Sequence, residues 1–176
     1  MITNESLERV RGWLNGRLPE EWRTPAPEVI VDREEITVVL TIPDVDITAE
    51  ATDAEAAEAH AGRAKAFRED TRDKRIAIAR EAEHRFDRKV AWGVNVGDRR
   101  ELFTHIAVPV MTRLRQPQRL VLDTLVDAGV ARSRSDALVW CVRLVGQNAD
   151  EWLSELREAM SHVAKVRQQG PGSMET

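Results

Sequence analysis

The residues of this chain that can do chemistry are few. The densest group is Ser133-Arg134-Ser135, set directly ahead of an apolar run. Where a helix begins, a serine oxygen accepts from a first-turn backbone N–H, and the remaining N–H groups with the positive helix end attract an anion. The cluster therefore reads either as a plain cap or as a cap that also holds a phosphate. Arg113, Arg115 and Arg119 lie just upstream and divide in the same way, into phosphate contacts or ordinary solvated charges. The four histidines, His60, His84, His105 and His162, are dispersed. Glu81-x-x-His84 has the one-turn spacing of a di-iron half-site, but its second half is missing, so a solvated side chain is expected and no metal is assigned. The sequence holds no phosphate-cradling glycine loop, zinc-protease motif, paired cysteine or nucleophile elbow. No catalytic residue, cofactor or enzymatic activity is expected.

The elements that position the cluster follow from periodicity. Leu114, Leu120, Leu122, Leu125 and Val126 recur at helical spacing, Pro117 suits a first turn, and Gly129 suits a left-handed helix end. A second helix follows, with Ser133 or Ser135 as cap and Ala137, Leu138, Cys141, Val142 and Val145 on one stripe. The apolar run Leu102 to Val110 ahead of the pair reads as a strand.

That order of strand, helix, turn and helix resembles the ribbon-helix-helix family of DNA-binding proteins. The resemblance is carried by Leu122-Asp123-x-Leu125 before Gly129 and by Ser133-Arg134-Ser135 before Ala137-Leu138, and it covers about residues 102–145. It implies a homodimer whose two strands pair into a ribbon that enters the major groove of double-stranded DNA. It also implies that Ser133, Arg134 and Ser135 meet a phosphate; Arg113, Arg115 and Arg119 then stand where they could flank the ribbon and touch the backbone. If Thr104, Ile106, Val108 and Val110 face inward, His105, Ala107 and Pro109 face outward, and only His105 can hydrogen-bond a base edge. A transcriptional regulator is the expectation; the alternative is a dimerising adaptor or antitoxin-like protein without sequence-specific DNA binding.

Charge is unevenly placed. The chain has net charge -4 over 176 residues, yet Arg85 to Gln147 carries eleven basic and six acidic residues, a net of +5, while Met1 to His84 nets -7. A basic segment in an acidic chain fits one face meeting phosphate and an acidic half free for a protein partner, and fits a salt-bridged surface equally. Cys141 is the sole cysteine, which excludes an intrachain disulfide and suits a reducing compartment. The N-terminal MITNESLERVRGWL lacks an apolar core, and no apolar run is long enough to cross a bilayer, so the expected location is the cytoplasm.

The rest of the chain predicts an α+β protein. A helix over Leu7 to Leu14 precedes a Pro-rich connector holding Trp22, and Glu28 to Asp32 with Glu35 to Ile42 form a hairpin. Ala49 to Arg88 predicts one long helix or two in tandem, with Ala57, Ala61, Ala64, Phe67, Thr71, Ile78, Ala82 and Phe86 on its stripe. Lys89 to Val96 pairs with Arg100 to Val110 as a second hairpin, or else is an arm. The expected divisions are a 1–88 extension, an 89–147 ribbon-helix-helix-like unit, a 148–169 C-terminal helix and a disordered 170–176 tail.

Overall fold

Alternating β-branched residues and two turn signals build the first half of the chain. The computed structural model describes residues 4–47 and 51–169, and the expected 170–176 tail lies outside them. The protein is α+β, and its chain divides into two compact units between Val108 and Pro109.

In the first unit, β1 (Glu28–Val31) and β2 (Glu35–Ile42) form the expected hairpin. Asp32 shapes its turn, because one carboxylate oxygen accepts from the N–H groups of both Glu34 and Glu35 at 2.8 and 2.6 Å. Two helices in tandem follow, α2 (Asp53–Asp70) and α3 (Arg72–Phe86), divided at Thr71. Thr52 and Glu55 close a reciprocal capping box at the start of α2, and Asp87 in the left-handed region ends α3. This crossover returns the chain parallel to β2, so β3 (Lys89–Val96) lies beside it in full register from Glu35↔Lys89 to Ile42↔Val96. The sheet order is β1-β2-β3-β4, with β4 (Arg99–Leu102) antiparallel to β3 across the Gly97 turn.

The core follows from that register. Ile36, Val38, Leu40 and Ile42 of β2 pack with Val90, Trp92, Val94 and Val96 of β3, and α1 (Asn4–Arg17) adds Val10 and Leu14. Trp22, in the short 3-10 turn Glu20–Trp22, meets Phe67 at 5.9 Å and Trp92 at 6.1 Å between ring centroids. Ala64, Ile78 and Ala82 press α2 and α3 onto this cluster, as the stripe predicts. Ala61 is exposed, and His60 turns inward in its place. Its Nε2 lies 2.8 Å from Asp44 Oδ1, close enough for an ion pair when protonated but out of line for a hydrogen bond.

Two expectations need correction here. Lys89 to Val96 is neither an arm nor part of a C-terminal unit; it is a central strand of the first unit's sheet, so the boundary expected at 88 moves to Val108. The hairpin that it forms is also shorter than expected, since β4 stops at Leu102 and the strand read over Leu102 to Val110 is absent from the single chain. Phe103 gives its N–H to Trp92 O at 2.7 Å and then buries its ring against Phe67, which ends the ladder. Thr104 to Arg115 has no regular structure.

The second unit holds α4 (Gln116–Asp127), α5 (Arg134–Asn148) and α6 (Asp150–Gln169). Gly129, at φ 73°, makes the corner between α4 and α5, and Val130 N donates to Leu125 O at 3.0 Å behind it. The break expected at Gly146 falls at Ala149 instead, since intact helical bonding carries α5 through the glycine. Among the described residues no helix is long and apolar enough to cross a membrane.

Close approach at Gly93 generates a stability prediction. A Cβ there would sit 2.6 Å from Leu102 Cδ2 and 2.9 Å from Glu101 O, so β4 must shift to admit it. Gly93→Ala is expected to lower stability by roughly 1–3 kcal/mol in urea unfolding. Gly62→Ala, in open space on α2, is expected to raise it by about 0.5–1 kcal/mol.

Candidate nucleic-acid interface

The start of α5 is built as its sequence implies. Ser133 is the N-cap in extended conformation, and its Oγ accepts from Asp136 N at 3.2 Å. Asp136 answers by accepting from Arg132 N through Oδ2 at 3.0 Å. The sequence reading missed Asp136, although serine followed three residues later by a carboxylate is a legible capping signal. Its negative charge already complements the positive helix end. The groups left to meet a further anion are the backbone N–H groups of Arg134 and Ser135, which lie ahead of the first intrahelical bond, and the exposed Ser135 hydroxyl.

Arg134 is engaged within the chain. Its Nε and Nη2 donate to Asp123 Oδ1 and Oδ2 of α4 at 2.6 and 2.8 Å, a two-pronged pair across the corner. The hydrogen bond from Arg134, followed by the charges of Arg134 and Arg119, holds the Asp123 carboxyl below its ordinary range, and the same bond raises the guanidinium. Nothing in the sequence marks this pair, because its partners stand eleven residues apart on two helices whose angle only the folded corner fixes.

Arg113 and Arg115 are exposed and, among the described residues, have no carboxylate partner. Arg115 also occupies the N-cap position of α4 without a side-chain cap bond. Arg119 donates to Leu114 O at 2.8 Å, which folds it back over the helix start. His105 is exposed on the irregular segment, outside the second unit. The structure therefore brings Ser133, Arg134 and Ser135 together with Asp123 and Asp136, and it places no regular element under His105. Glu81 of the half-site motif is taken by Arg17, and no group of three metal-ligating side chains gathers among the described residues.

The second unit buries little. Its core is Leu122, Ala131 and Ala137, with Leu114, Leu125, Val126, Leu138 and Cys141 packed against it. Val142 and Val145, both assigned to the inward stripe of α5, are 66% and 53% exposed. Val110, Met111, Leu120, Val121, Val139, Leu144 and Trp152 are exposed as well. A soluble monomer rarely shows so much apolar surface in so small a unit.

Residues 8–102 match the family model described as Rv1265-like protein, N-terminal domain, and residues 115–167 match the Mb1296 C-terminal domain. The chain belongs to the Rv1265-like family. The uncharacterised proteins Mb1296 of Mycobacterium bovis and Rv1265 of Mycobacterium tuberculosis are each 60% identical to it over 159 residues, covering 90% of this chain and 69% of theirs. No solved structure matches it. The two family models leave 103–114 between them, close to the irregular segment that follows β4.

The Arg134–Asp123 pair fixes a pH dependence. A carboxylate depressed in the folded state contributes stability that is present above its unfolded pKa and is lost as pH falls through the folded value. Carboxyl-detected NMR is expected to show Asp123 titrating below the ordinary aspartate range, and Arg134→Gln is expected to return it there. An unchanged titration in the variant would contradict the pairing.

Proposed function

We propose that the chain is a homodimeric DNA-binding protein of ribbon-helix-helix type, acting as a transcriptional regulator. The observations that carry this reading are the open apolar face of α4 and α5 and, earlier in the chain, a 104–110 segment that pairs with no strand among the described residues. A second copy answers both needs at once. Its helices cover the exposed Val139, Val142 and Val145, and its 103–110 segment supplies the ladder that a lone chain lacks. A ribbon made only between chains leaves no mark on one chain, so an irregular 104–115 is the form expected of the separate protomer. Three helices with so small a core also gain most by pairing.

Within that dimer, Arg113 and Arg115 meet the DNA backbone, Ser135 and the first N–H groups of α5 hold one phosphate, and His105 is the one polar reader on the ribbon. Arg134 orients the start of α5 through Asp123 and reaches a phosphate only at the edge of that pair. Backbone contacts then supply most of the affinity, with modest sequence preference. The cytoplasm, where DNA is accessible and Cys141 stays reduced, is the setting. The acidic first unit is left for a protein partner, and no catalytic role is assigned.

The engagement of Arg134 by Asp123 favours a second reading, a dimerising adaptor or antitoxin-like protein that does not read DNA. A salt titration of labelled duplex by fluorescence anisotropy separates the two. Each neutralised phosphate contributes about -0.9 to the log–log slope, so Arg113→Glu with Arg115→Glu is expected to flatten it by about 2. A slope near zero, or no binding at low salt, would leave the adaptor reading.

A further inference from the structure

Beside β4, in the first unit, lies a cavity of about 620 Å³ whose wall is cationic. Lys65 and Arg68 of α2 and Arg72 and Arg75 of α3 line it together, spaced three, four and three residues apart so that they share one side of the helical path. Among the described residues none of the four has a carboxylate within ion-pair distance. Glu69 and Glu101 also line the cavity, but neither reaches a cation of the wall.

Arg75 is the telling residue. It is only 7% exposed, a level that arginine reaches rarely without a charge partner. Its Nε donates to Thr71 Oγ1 at 3.0 Å and its Nη2 to Arg68 O at 2.6 Å, leaving Nη1 without an acceptor among the described residues. The guanidinium carbon stands 4.9 Å from the centre of the Phe103 ring, and that of Arg68 stands 5.8 Å from it. Burial, followed by the charges of Arg68 and Arg72, lowers the pKa of Arg75 from its ordinary value. Holding three guanidinium groups together with no carboxylate in ion-pair distance among the described residues is unfavourable, and an anion from outside relieves it.

We propose that this cavity binds a small anion carrying two or more linked phosphates. Guanidinium groups grip phosphate oxygens in pairs, whereas an isolated carboxylate ligand would leave most of the donors unused. Four cations drawn from two successive helices offer more donors than a single phosphate can engage, which favours linked phosphates. The cavity falls within the size range of small-molecule sites, about 300–1,000 Å³. The occupant is either an inorganic polyphosphate or the polyphosphate of a nucleotide, and the two share the chemistry recognised here.

The test is isothermal titration calorimetry of the full chain, at one fixed salt concentration, with sodium tripolyphosphate, a nucleoside triphosphate and orthophosphate in parallel. Tripolyphosphate is expected to bind at least about tenfold more tightly than orthophosphate, and the rim variant Arg68→Glu with Arg72→Glu is expected to weaken it by about tenfold or more. Both substituted residues are exposed, so the fold is retained, and circular dichroism checks this. The variant Arg113→Glu with Arg115→Glu, in the other unit, should bind tripolyphosphate as the parent does. Nucleoside triphosphate binding as tightly as tripolyphosphate places the phosphates alone in the site, and tighter binding places the nucleoside there too; both support the proposal. No heat with tripolyphosphate, no discrimination against orthophosphate, or a rim variant that loses duplex DNA but keeps tripolyphosphate would overturn it.

Discussion

The second unit is governed by a shortage of partners for its apolar residues. Leu122 of α4, Ala131 of the turn and Ala137 of α5 are all that this helix pair buries fully, while a row of valines and leucines on the same helices faces outward. Each buried aliphatic side chain contributes about 1.5–3 kcal/mol, so a face left in water forfeits much of what its sequence could supply. The Gly129 corner, the Ser133 cap and the Arg134–Asp123 pair hold the two helices at a fixed angle, and they leave that face open while doing so. The unit therefore presents an apolar surface together with the exposed Arg113 and Arg115.

The first unit is self-sufficient by contrast. Its parallel β2 and β3 are buried along nearly their whole length, and Ala64 and Ala82 let the crossover helices approach closely. That close approach also carries Arg75 inward. Its stem packs as an apolar residue would, while its head remains at the cavity wall. The ring of Phe103 lies under the same guanidinium, so one residue both ends the β4 ladder and completes the floor of the cationic cavity. Fold and candidate binding site thus share Phe103 and Arg75.

Local signals in the sequence were the reliable ones. The first hairpin was legible because two β-branched runs, Glu28 to Asp32 and Glu35 to Ile42, are separated by Arg33-Glu34, and α4 and α5 were legible from apolar spacing, Pro117 and Gly129. Partner choice was not. Lys89 to Val96 pairs with β2 across a two-helix crossover, and nothing in its eight residues distinguishes that neighbour from another strand. Phe103 reads as one more strand residue until the cationic face of α2 and α3 gives its ring a place. Arg75 fell outside the Ala-rich stripe because sequence patterning treats every arginine as exposed. At the candidate interface the serine cap was readable, whereas the carboxylates that occupy Arg134 and the helix end became visible only in three dimensions.

The claim on which the functional reading rests is that a second copy covers the open face of α4 and α5. Sedimentation equilibrium of the full chain measures this directly. The account predicts a mass of about twice the 19.9 kDa of one chain, shifting toward the monomer when Val142 is replaced by Asp. A mass of 19.9 kDa at the highest soluble concentration would contradict it.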